Sequence, residues 1–267
     1  MGQIPAESAM VSRAFALFWV LVLSAILVAG HWQSAAAEFR EKMLGQWKPA
    51  LVISLLHLLG AGFGGYGFLQ ISSIGYFCQA MIGLALARSI NGFEPLPASQ
   101  AMVHQENRTK RLSLMLVISL GVVVAALFVN GVLGGLLPQL FGETINRSAG
   151  FGSFFPENAW QSFLLLLAGA GISEETTYRL LFLSLFWHLT RRPWVALILS
   201  SLLFGAYHLS PLDALYRQLW ERPLTVFTMS AVMGVVMGYV YIKHGYETAV
   251  LGHTLGDWTG LLLSRMM

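Results

Sequence analysis

Long apolar runs alternate with short polar connections along this chain, and that alternation predicts the fold. A helix needs roughly 20 residues to cross a hydrocarbon core of about 30 Å. Runs near that length lie at 14–30, 50–68, 72–89, 112–137, 160–188, 194–210, 224–242 and 247–264. The pattern predicts an all-α, polytopic transmembrane helix bundle of about eight spans. Residues 60–67, GAGFGGYG, leave only a tight turn between the second and third runs, so that hairpin also reads as re-entrant. Extended polar connections fall at 31–49, 90–111 and 138–159. Without an internal repeat or low-complexity segment, residues 1–267 read as a single integral membrane domain. Pro95 and Pro97, followed by HQENRTKR, divide three N-terminal runs from five C-terminal ones.

Composition agrees with a membrane setting. Of the 267 residues, 56% are hydrophobic and 11% charged, against roughly 25% charged in a soluble domain; the mean hydropathy is +0.64. The net charge of +3 does not point to nucleic acid, because the basic residues are scattered through short loops. They report orientation instead. With eight spans, the loops after the odd-numbered ones, together with Arg88 at the end of the third span, hold ten Lys and Arg, among them Arg40, Lys42, Lys48, Arg108, Lys110 and Arg111. The opposite side holds five: Arg13, Arg147, Arg217, Arg222 and Arg265. The positive-inside rule then places both termini outside the cytoplasm. Residues 14–37, ending in SAAA, also resemble a signal peptide. Cleavage there would carry the basic loops outward, so a retained first span is the preferred reading. The opening MGQIPA has Ala6 where myristoylation expects Ser or Thr. Cys78, the only cysteine, reads as a small buried side chain rather than a nucleophile.

Glycines four apart recur at Gly60 and Gly64, Gly131 and Gly135, Gly234 and Gly238, and Gly252 and Gly256. In lipid such pairs let helix backbones approach closely, so they predict compact packing.

The polar groups inside the apolar runs carry the chemistry. Each charge at mid-membrane costs about 2.5 to 3.5 kcal/mol even on an insertion scale, yet GAGISEETTYRLLFLSLFWHL places Glu174, Glu175 and Arg179 together. Glu175 and Arg179 have the i, i+4 spacing of an intrahelical ion pair. In an α-helix Glu174 is turned about 100° from Glu175. The cluster alone reads equally well as structural stitching between helices. Two further sites change the weighing: FGAYHLS sets Phe204 one turn before His208, and LGHTLGDWTG sets His253 and Asp257 on one helix face. His57 in ISLLHLLG reads as a hydrogen-bonded structural histidine.

Glu174, Glu175 and Arg179 match an EExxxR motif, Phe204 and His208 match FxxxH, and His253 with Asp257 matches HxxxN/D, in that order. Over residues 160–265 the chain resembles the CPBP family, the CAAX proteases and bacteriocin-processing (ABI) enzymes that include the type II CAAX prenyl endopeptidases. The resemblance implies an intramembrane glutamic endopeptidase that works without a covalent intermediate or metal cofactor. It assigns Glu174 as the base that activates water, His208 as its positioning partner, and His253 and Asp257 as the oxyanion side. Glu175 and Arg179 become the supporting pair. Eukaryotic-type relatives carry Asn at the position of Asp257, and an ionised aspartate accepts but does not donate. Asp257 is therefore either protonated or orients His253; the one-turn spacing favours orientation.

Three alternatives stay open. Two histidines and two carboxylates are plausible zinc ligands, although HExxH is absent. A proton-coupled transporter also needs intramembrane ionisable groups, but no repeated pair of broken helices accompanies them. A non-catalytic immunity or scaffold protein would keep the motifs for packing. Other intramembrane proteases fit less well: Asp213 and Asp257 are the only aspartates, and Ser153 lacks a GxSxG setting. The expected partners are a peptide or protein substrate at the membrane and the lipid bilayer itself. Compact loops suggest a prokaryotic, inner-membrane setting.

Overall fold

A computed structural model describes residues 6–104, 107–143, 154–210 and 218–266 of the chain. Of the residues weighed above, Arg147, Ser153, Asp213 and Arg217 lie outside this set, as do Met1–Pro5. The described residues form helices and connections, with no strand among them. In order they are α1 (Ala6–Ala29), α2 (Ser34–Leu44), α3 (Trp47–Ala61), α4 (Ser72–Arg88), α5 (Pro97–His104), α6 (Arg108–Phe128) and α7 (Gly134–Phe141). There follow α8 (Ala159–Leu166), α9 (Ser184–Thr190), α10 (Pro193–Tyr207), α11 (Pro223–His244) and α12 (Tyr246–Met266).

Every apolar run of the sequence is helical. Among the described residues, four stretches are long and apolar enough to cross a membrane: Met10–Ala29, Trp47–Tyr66, Arg108–Phe141 and Pro223–His244. The connections at 31–49 and 90–111 are more ordered than their polarity predicts, since they contain α2 and α5. The GAGFGGYG hairpin is a π-helical turn, Gly62–Tyr66, in which Gly65 has φ 108° and Gly67 φ 79°. Both values lie where side chains with a Cβ are strained.

Local chemistry sets several boundaries. The Asn158 side chain caps α8, accepting from Trp160 N at 2.9 Å and Gln161 N at 3.1 Å, a role suited to its short amide. Pro193 and Pro223 open α10 and α11, where a missing N–H costs nothing. Glu143 caps α11 from a distant loop, accepting from Leu224 N at 2.8 Å and Thr225 N at 3.0 Å.

Close helix contacts follow the glycines in three of the four pairs. A methyl group at Gly60 would stand 2.9 Å from the Leu164 carbonyl oxygen, at Gly234 3.0 Å from Ser201 Cα, and at Gly252 3.0 Å from Val122 Cγ2. Among the described residues, a methyl group at Gly131 or Gly135 would instead meet nothing within 4 Å, so that pair marks no close backbone approach. The core joins α3, α4, α6, α10, α11 and α12 around Leu84, Leu180, Leu183, Leu197, Met237 and Tyr241. His57, on α3, bonds through Nδ1 to Ser73 Oγ at 2.8 Å, as a structural histidine would.

A strap before α5 holds the head of α12. Tyr246 N donates to Pro95 O at 2.8 Å, and Ser99 N donates to Glu247 Oε1 at 2.8 Å. Gly245, φ 85°, lies directly against Pro97.

Candidate active site

Between α8 and α9 the backbone is π-helical over Leu167–Glu174 and again over Thr176–Leu183, with Glu175 at the junction. A π-helix closes i→i+5 turns and is frequent at functional sites. Its wider turn reduces the angle between successive residues. An α-helical register would turn Glu174 away from the partners of Glu175; here both carboxylates reach His253 on α12.

Glu175 is fully buried and holds two partners. Its Oε2 lies 3.3 Å from Arg179 Nε, the pair that the i, i+4 spacing predicts. Its Oε1 accepts from His253 Nδ1 at 2.8 Å. The other ring nitrogen, Nε2, lies 3.8 Å from Glu174 Oε2 and 3.7 Å from Asp257 Oδ2. Glu175, rather than Asp257, therefore makes the hydrogen bond that orients His253, because the one-turn spacing leaves Asp257 beside the opposite nitrogen. With carboxylates at both nitrogens, the ring is surrounded by acceptors.

His208 follows the last residue of α10, and its Nδ1 donates to the carbonyl oxygen of Phe204 at 2.8 Å. A carbonyl oxygen can only accept, so this back-bond across one turn places a proton on Nδ1; when the ring is neutral, Nε2 is then its acceptor. The Phe204 ring, 2% exposed, meets His208 edge to face at 4.6 Å and His253 at 5.9 Å. Arg179 Cζ stands 4.3 Å from its centroid. Phe204 thus contacts both histidines and the arginine, a connection that the FxxxH spacing alone does not reveal.

Neighbouring contacts hold these elements in register. Thr176 and Tyr246 share a hydrogen bond of 2.7 Å between their hydroxyls. Thr177 Oγ1 lies 3.0 Å from Gln79 Oε1, and a methyl group at Gly83 would stand 2.7 Å from the Leu180 carbonyl oxygen. Helix α4 therefore presses directly on the glutamate-bearing segment. Neither Gln79 nor Tyr246 belongs to a motif; only the burial of an uncharged polar group within an apolar run could have singled them out.

Exposure rises across the site: the side chain of Glu175 is 0% exposed, Glu174 11% and Asp257 35%. The cluster opens at Asp257. Among the described residues, no group of three or more His, Cys, Asp or Glu is arranged to hold a metal ion.

All seven residues singled out in the sequence occur in one region of the bundle, on the π-helical segment, at the end of α10 and on α12. Residues 156–259, which contain all of them, match the family model described as type II CAAX prenyl endopeptidase Rce1-like. Neither a curated protein nor a solved structure matches the chain. Over residues 156–259 the chain is thus similar to the Rce1-like type II CAAX prenyl endopeptidases.

Proposed function

We propose that this protein is a multi-pass endopeptidase of a prokaryotic cell membrane that hydrolyses a peptide bond of a membrane-associated peptide or protein through glutamate-activated water. The observation that carries this reading is the double engagement of His253, with Glu175 at Nδ1 and Glu174 within one bridging water of Nε2.

In this mechanism Glu174 takes a proton from water as the oxygen attacks the carbonyl carbon, and later returns a proton to the leaving amine. His208, with Nδ1 committed to the Phe204 carbonyl, accepts at Nε2 and positions that water. His253 donates from Nε2 to the developing oxyanion, where a fixed donor in a water-poor site stabilises charge most strongly. Glu175 holds the imidazole in orientation, as the third member of a catalytic triad does. Asp257 flanks Nε2 and balances the imidazolium charge, replacing the amide donor that an asparagine would supply. Arg179 balances Glu175. No metal enters these steps.

The test compares detergent-purified wild type and Glu174→Gln on peptides that include prenylated and plain membrane-anchored tails, with and without a strong chelator. Cleavage that survives the chelator and disappears in Glu174→Gln is the expected result. Loss of activity in chelator would replace this mechanism with a metal-dependent one. Cleavage by Glu174→Gln at the wild-type rate would remove the glutamate from the base role.

A further inference from the structure

We infer that Phe204 is a positioning residue: the face of its ring holds the Arg179 guanidinium, and through Arg179 the Glu175–His253 pair, while the same residue fixes His208. The inference rests on the peptidase reading of these groups.

Arg179 is the largest fully buried side chain among the described residues. Its Nε faces Glu175 at 3.3 Å, yet Nη1 and Nη2 make no hydrogen bond within the described residues. A buried guanidinium with two unpaired donors is costly, so the interaction made by its remaining surface matters. That surface is the ring of Phe204, 4.3 Å from Cζ, well inside the range in which an aromatic quadrupole attracts a cation. The contact is desolvated on both sides, where such attraction is strongest.

Displacement of Arg179 would be felt one residue away. Glu175 divides its carboxylate between Arg179 and His253, so movement of the guanidinium alters the acceptor that orients the imidazole. Phe204 also supplies both the carbonyl that accepts the hydrogen bond of His208 Nδ1–H and the ring against which that imidazole stands. A leucine would fill much of the same volume without an electron-rich face. The aromatic residue therefore contributes electrostatically as well as by packing.

The test replaces Phe204 with mono-, di- and trifluorophenylalanine, which keep the shape while withdrawing charge from the ring face. Phe204→Leu and Phe204→Tyr serve as the apolar and conservative variants. We expect kcat to fall stepwise along the fluorinated series, by about tenfold at its end, with KM unchanged and Phe204→Tyr retaining most activity. A parallel spectroscopic arm follows the His253 Nδ1–H resonance in micelles of 15N-histidine-labelled protein; it should shift progressively in the same order. Constant kcat and an unmoved resonance across the series, with loss only in Phe204→Leu, would reduce Phe204 to packing and overturn the inference. If the wild type cleaves no peptide, the peptidase reading fails, and the resonance still decides the role of Phe204. Thermal unfolding of each variant shows that the compared proteins are folded.

Discussion

Glu175 Oε1 accepts from His253 Nδ1 at 2.8 Å, joining residues 78 positions apart in the chain. The same carboxylate faces Arg179, so one buried acid links the π-helical segment to the helix carrying His253 and Asp257.

The two adjacent glutamates should consequently behave differently on substitution. Glu175→Gln leaves Arg179 buried without its counter-charge and should lower unfolding stability by about 3 kcal/mol. Glu174→Gln should abolish hydrolysis while its unfolding midpoint stays near that of the wild type. Denaturant unfolding in detergent, alongside the peptide assay, separates the two effects.

The strap at the head of α12 predicts a second outcome. Gly245 has φ 85° and ψ 175°, a region essentially confined to glycine, and it lies against Pro97. Gly245→Ala should cost about 2 kcal/mol and speed hydrogen exchange at the Tyr246 amide, which otherwise donates to Pro95. Exchange at the wild-type rate would mean that the strap does not restrain α12.

Glycine positions should divide by what they face. Gly252→Val places new atoms against Val122 on α6 and should cost about 1 to 3 kcal/mol by overpacking, with loss of activity because His253 is the next residue. Gly135→Ala meets open space and should raise stability by up to about 1 kcal/mol. Unfolding midpoints of the two variants provide the comparison.

Glu143 gives a pH dependence outside the membrane-spanning segments. Partial burial would raise its pKa, but contacts with Thr225 and the Leu224 backbone, together with the Arg222 charge, hold it below the ordinary carboxylate value. The group therefore stabilises the fold above its unfolded pKa, and that contribution disappears as pH falls through the folded value. The stability difference between wild type and Glu143→Gln should be full near pH 6 and shrink below about pH 4, under the ordinary carboxylate range. A difference that grows on acidification would contradict the capping role.

Periodicity and motif spacing made much of this architecture legible. Length and hydropathy located the apolar helices, and the i, i+4 rule found the Glu175–Arg179 pair. Spacing also placed His253 and Asp257 on one face, but could not say which ring nitrogen Asp257 would approach. The Glu175–His253 bond leaves no local trace, because it joins separate helices. The π-helical backbone was hidden for a related reason: an α-helical wheel assumes the turn that this segment departs from. Helices α2 and α5 lack a long apolar run, so their sequence reads as connection.

The pressure of α4 on the glutamate-bearing segment has a consequence for autonomy. A fragment starting near residue 150 would retain every motif residue but lose Gly83, whose backbone lies against Leu180, and Gln79, which meets Thr177. The inherited signature is therefore shorter than the physical machine it marks. Transplanting the signature alone would carry the reactive groups without the wall that keeps them in register.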